Sequence, residues 1–119
     1  MLRAIKAMGA MALMFVGATA AASVIVHNDV SIERIILDGQ NYAGCMIGFT
    51  PSMPSNLNCR LDFVSLDCNG DLVNTKTHAK SLLDMAQLAF IVEKKVRLRV
   101  SDEQTVNGFC TADYIRIEK

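Results

Sequence analysis

Short apolar runs separated by polar breaks divide the chain beyond its first two dozen residues, and most have the period of a strand. Ile32 to Leu37 is β-branched and apolar and closes on Asp38-Gly39, a turn signal, so a first strand is predicted to end there. Tyr42 to Phe49 is a second apolar run. Thr50-Pro51-Ser52-Met53-Pro54-Ser55-Asn56 stops it, because its two prolines cannot donate to a ladder. From Cys59 to Leu66, Leu61 and Phe63 alternate with Arg60 and Asp62 before the apolar phase shifts to Val64 and Leu66, which predicts a third strand with a bulge or strong coil midway. Asn69-Gly70 suits the two positive-φ positions of a type I′ turn, so Asp67 to Leu72 reads as a tight hairpin into a very short edge strand. That stretch also has the Asp67-x-Asn69-Gly70-Asp71 opening of a calcium loop, but it lacks the later bidentate carboxylate, which favours the hairpin.

The period then changes. Ala79, Leu82, Leu83, Ala86, Ala89 and Phe90 recur at three- and four-residue steps, predicting a helix capped by Asn74 or Thr75 and running to Glu93. Met85, Leu88 and Val92 form a second apolar set beside the first. Either the helix lies deep against a curved sheet, or a neighbouring subunit covers its second side. Val96, Leu98 and Val100 alternate with Lys95, Arg97 and Arg99, a half-buried strand with a basic outer face that can meet an anionic ligand or be paired by Glu93 or Asp102. A turn through Ser101 to Gly108 leads to a last strand, Phe109 to Ile117. Three strands, a helix and two strands make a mainly β chain with one helix, the order of a five-stranded OB-fold barrel whose helix plugs one end.

The first residues change how the rest is read. Arg3 and Lys6 precede an uncharged stretch from Gly9 to Ala22 that ends in Ala18-Thr19-Ala20-Ala21-Ala22, the layout of a secretory signal peptide over residues 1–22. The apolar run is short for a membrane span, and cleavage after Ala20 or Ala22 fits. The expectation is a single OB-fold domain over 23–119, secreted or periplasmic, with no stable membrane insertion. Removing Arg3 and Lys6 from the twelve basic side chains, against twelve acidic ones, leaves a net charge of about −2, which argues against a nucleic-acid partner. Four cysteines, Cys45, Cys59, Cys68 and Cys110, lie in the exported part, and an even count there implies two disulfides. No Cys-x-x-Cys pair accompanies His27 and His78, so neither metal nor cofactor is expected.

A family resemblance rests on particular residues. Asn74 to Lys119, with Ala89-Phe90 running into Lys95-Val96 and on to Val100, resembles the second half of cholera-type enterotoxin B subunits. Asp38-Gly39-Gln40, Tyr42-Ala43-Gly44-Cys45 and the later Cys59 resemble the B subunits of subtilase cytotoxin and of typhoid and pertussis-like toxins. The resemblance implies Cys45 paired with Cys59, and with it Cys68 with Cys110. It implies a homo-oligomer, typically a homopentamer, that binds a glycan or receptor on a host cell and partners an exported enzymatic subunit. The family's sialic-acid-contacting serine falls at Asp29, where a carboxylate would repel that sugar.

No Gly-x-Ser-x-Gly, His-Glu-x-x-His or phosphate-cradling glycine loop is present, and bridged cysteines leave no thiolate, so no catalytic residue is expected. His27, in an N-terminal arm read as loose, and His78, in the first helical turn, read as surface histidines. The exported part has no Trp, and most of its aromatics (Tyr42, Phe49, Phe63, Phe90, Phe109, Tyr114) fall where core residues are expected. Asp29, Tyr42 and Tyr114 remain as ligand-binding candidates, and Met85, Leu88 and Val92 as oligomer-interface candidates. Two functions follow: a carbohydrate-binding subunit resembling a toxin B subunit, or a monomeric periplasmic OB-fold protein that binds a protein or peptide. In the ring, the first strand and the short strand before the helix would be open edges for the next subunit.

Overall fold

A computed structural model describes residues 22–119, so the signal-peptide reading, apart from its last residue, lies outside the described residues. The elements are β1 (Val24–Asp38), β2 (Gly44–Thr50), β3 (Arg60–Ser65), α1 (Lys76–Val92), β4 (Val96–Val106) and β5 (Phe109–Ile117). The strands close into a barrel in the order β1-β2-β3-β5-β4, with β3 parallel to β5 and every other pair antiparallel. This is the OB fold, with the predicted order of elements.

Alternation sets the core. Val30, Ile47, Val64, Val96, Leu98 and Val100 are fully buried inside the barrel, and β-branched side chains suit that pleated, enclosed surface. The helix closes one end with Leu82 and three alanines, Ala79, Ala86 and Ala89, whose small side chains let its axis lie close to the strands. Thr75 caps it by accepting from the His78 N–H, and Glu93 ends it in the left-handed conformation (φ 56°). Phe90 does not join this face: it is 45% exposed on the helix surface.

The first strand is much longer than Ile32 to Leu37. Val24 to His27 pair with β4, and the second half of the strand pairs with β2. The two halves meet at a bulge between His27 and Val30, where Asp29 takes a positive φ of 57°. His27 therefore lies in no loose arm; it is buried, and its Nε2–H donates to the Pro51 carbonyl at 2.7 Å. Because β1 pairs on both sides, it is not an open edge.

The Asn-Gly hairpin signal belongs elsewhere. Asn107 and Gly108 take the two positive-φ positions (50° and 82°) and close the β4–β5 hairpin, where Val106 pairs with Phe109, so β4 continues through the stretch read as a turn. Residues 67–74 form neither a hairpin nor an edge strand. Asp67, fully buried with φ 57°, accepts from the N–H groups of Asp71 (3.1 Å), Leu72 (2.8 Å) and Asn74 (2.9 Å). Its carboxylate organises backbone amides rather than a cation, which is not the arrangement of a calcium loop. Asn74 adds bonds to the Leu66 and Ala112 carbonyls, tying the start of the helix to the barrel.

The disulfides are Cys45–Cys68 and Cys59–Cys110, not Cys45–Cys59 and Cys68–Cys110. The antiparallel register explains the difference. Met46 lies opposite Ser65, so Cys45, at the start of β2, faces the exit of β3 and the Cys68 beyond it. Cys59 precedes β3 and lies at the other end of the pair, next to the start of β5.

Peptide mapping under non-reducing conditions will recover Cys45–Cys68 and Cys59–Cys110, and removing either bridge will cost about 3–4 kcal/mol in denaturant unfolding. Asp67→Ala leaves the buried Asn74 N–H and the part-buried Asp71 and Leu72 N–H groups without their acceptor and is expected to cost about 2–4 kcal/mol, whereas Asp67→Asn, which tolerates the left-handed backbone and keeps an oxygen, costs less.

Candidate ligand-binding face of the barrel

Ile47 and Val64, paired across β2 and β3, both point inward, so the next pair, Gly48 and Phe63, points outward. Arg34 on β1 pairs with Gly48 from the other side, and one outer row therefore crosses three strands: Arg34, Gly48, Phe63. Gly48 is needed here for close approach, because a Cβ would sit 2.5 Å from the Phe63 ring, which lies across it. The Arg34 guanidinium lies 6.0 Å from the centroid of that ring.

The predicted irregularity in the third strand sits at this point. Arg60 pairs with Phe109 and Val64 with Cys110, so one step on β5 spans four on β3, and Leu61, Asp62 and Phe63 bulge from that ladder. Phe63 meets Phe109 edge to face (6.1 Å, 77°), Phe109 meets Tyr42 (5.6 Å, 84°), and the Arg60 guanidinium lies 5.3 Å from the Phe109 centroid. Phe63 and Phe109 are therefore not core residues. With Tyr42 they form a half-buried aromatic band on the outer wall.

A groove of about 580 Å³ runs along this row, with Phe63 and Gly48 on its apolar side and Glu33, Arg34, Thr50, Ser52 and Asp62 on its polar side. The Thr50 hydroxyl donates to Glu33 Oε1 at 3.2 Å, and Asp62 lies 3.7 Å from Arg60 Nε. The groove thus brings two carboxylates, a guanidinium, two hydroxyls and an aromatic surface together on one outer face.

The basic face of β4 is a separate surface. Arg99 pairs with Val26 on β1 and with Tyr114 on β5, and Arg97 lies opposite Arg116. Neither arginine is paired by Glu93 or Asp102. Arg99 forms a two-pronged bond to Asp113 (2.8 and 3.3 Å), which holds its guanidinium more firmly in the charged form. Glu118 lies 3.4 Å from both Arg97 Nε and Arg116 Nε. Arg97 Nε has the ion-pair distance without hydrogen-bond alignment. These carboxylates already occupy most of the cationic surface.

The three ligand candidates do not converge. Tyr42 joins the aromatic band, Tyr114 lies on the other face beneath the Arg99 guanidinium (5.4 Å), and Asp29 is exposed at the β1 bulge. Among the interface candidates, Met85 packs partly against the core, while Leu88 and Val92 are exposed and continue into Ile91, 75% exposed. The groove residues Arg34, Gly48 and Phe63 had no signal of their own in the sequence. The one signal is the phase shift between Phe63 and Val64, and the sequence pattern alone places Phe63 inward, whereas the structure places it outward. Among the described residues no group of three His, Cys, Asp or Glu side chains could hold a metal ion, and no helix is long and apolar enough to cross a membrane. Comparison with protein-family models, curated proteins and solved structures finds no significant match to this chain.

The turn that carries Tyr42 depends on Asp38, whose carboxyl is held below its ordinary range by N–H bonds from Gln40 and from the side chain and backbone of Asn41. A depressed carboxylate contributes stability above its unfolded value, about 3.9, and loses it as pH falls through the lower folded value. Urea midpoints are therefore expected to be insensitive to this group from pH 7 to about 5 and to fall below about pH 4, with a shallower acid limb in Asp38→Asn.

Proposed function

We propose that this protein is an exported, non-catalytic binding module of the toxin B-subunit type, which recognises a cell-surface glycan or glycosylated receptor through the groove around Phe63 and acts as a homo-oligomer. The observation that carries the reading is the outer row of Arg34, Gly48 and Phe63 with Glu33 and Asp62 on the rim. A pyranose ring has an apolar C–H face that packs on an aromatic edge and a hydroxyl rim that needs both acceptors and donors. Two carboxylates on the rim favour a neutral sugar over an acidic one. The exposed stripe of Leu88, Ile91 and Val92 supports packing of protomers side by side. An exported enzymatic subunit is the partner such a module would deliver.

One observation favours the second reading, a monomeric periplasmic OB-fold protein that binds a protein or peptide: the closed barrel pairs β1 on both sides and needs no neighbour to cover an edge. A glycan array probed with the mature, oxidised protein, with light scattering on the same sample, separates the two. The first reading predicts a neutral-glycan hit, a mass of several protomers, and at least a roughly ten-fold loss of binding in Phe63→Ala, the range for removing an aromatic anchor. Gly48→Ala, whose Cβ would meet the Phe63 ring and displace it, should lose binding too. A monomer without a glycan hit supports the second reading.

A further inference from the structure

We infer that signal-peptide cleavage falls between Ala22 and Ser23, and that the α-ammonium freed on Ser23 is clamped by the carboxylate of Asp102. The inference rests on the export reading and chooses between the two cleavage positions that the small residues Ala18, Ala20 and Ala22 allow. Hydrolysis of the Ala22–Ser23 bond adds one water, leaving a carboxylate on Ala22 and an amine on Ser23 that takes up a proton.

Ser23 immediately precedes β1, and its nitrogen lies 2.7 Å from Asp102 Oδ1, a length typical of a charge-assisted bond. The Asp102 N–H donates back to the Ser23 carbonyl at 3.1 Å, so the contact is held from both sides. Asp102 Oδ2 accepts from the Asn58 N–H at 3.1 Å, beside the bridged Cys59. These amides hold the Asp102 carboxyl below its ordinary range, the Ser23 N–H first.

The contact lacks a cation. The ion pairs among the described residues use Asp62, Asp84, Asp113 and Glu118, and none of the described Lys, Arg or His side chains forms one with Asp102. A half-buried carboxylate served only by neutral amides gains an opposite charge, with no rearrangement, when the nitrogen already bonded to it becomes an ammonium. Cleavage after Ala20 would leave Ala21-Ala22 attached and carry the ammonium up to about 7 Å away along an extended chain. With Ser23 as the first residue, one ion pair joins the start of β1, the middle of β4 and the β2–β3 loop.

The test begins with the intact mass of the protein recovered after export of the full 119-residue chain. A product that begins at Ser23 supports the inference. One heavier by two alanines overturns it and leaves export standing, whereas an uncleaved chain overturns the export reading and this inference together. An NMR pH titration of the α-amine then tests the clamp. The amine is expected to titrate above the ordinary range of about 7.7–8.0 and to return to it in Asp102→Asn. An ordinary value in the wild-type protein overturns the clamp, and this measurement stands alone if the variant does not fold.

Discussion

The parallel pairing of β3 with β5 is the constraint on which the rest of this protein depends. It closes the barrel and removes its edges. It also does so imperfectly. Four steps on β3 match one on β5, and the three residues squeezed out of that ladder include Phe63. The aromatic band and the groove beside it lie at this irregular junction, where the Phe63 ring lies across Gly48 and meets Phe109 edge to face.

Small barrels of this length bury a modest fraction of their unfolded surface, and covalent links supplement the core. Each bridge sits where the hydrogen-bond ladder ends or breaks. Cys59–Cys110 spans the irregular β3–β5 junction, and Cys45–Cys68 joins the start of β2 to the chain leaving β3. Asp67 continues from there without a covalent bond, gathering three amides so that the chain can turn from barrel wall to helix cap. From Cys45 to Thr75 the path is therefore held by a bridge, a buried carboxylate and a helix cap in succession.

The helix, the number and order of the main strands, the bulge in the third strand and the presence of two bridges were legible because each depends on local period, turn chemistry or cysteine count. What was not legible depends on register. Which cysteines meet follows from Met46 lying opposite Ser65, a pairing that no local pattern states. Val24 to His27 has the β-branched composition of a strand, but its partner β4 lies some seventy residues on, with a positive-φ aspartate in between. Asn-Gly occurs twice, at 69–70 and 107–108, and only the second is flanked by strands that pair. The inward placement of Phe63 failed for the same reason: a phase shift shows that a bulge exists, not which of its residues faces the core.

The proposed function rests on the outer wall. The β4–β5 face holds more charge, but Asp113 and Glu118 already satisfy most of it, whereas the groove on β1–β3 combines an aromatic surface with donors and acceptors that no other side chain fully uses. Saturation-transfer NMR, irradiating the aromatic protons in the presence of a panel of neutral mono- and disaccharides, tests this most directly. The account predicts transfer to the C–H protons of at least one sugar, with amide shifts clustered at Arg34, Gly48 and Phe63. Transfer to none of them, or shifts clustered at Arg99 and Tyr114 instead, would contradict it.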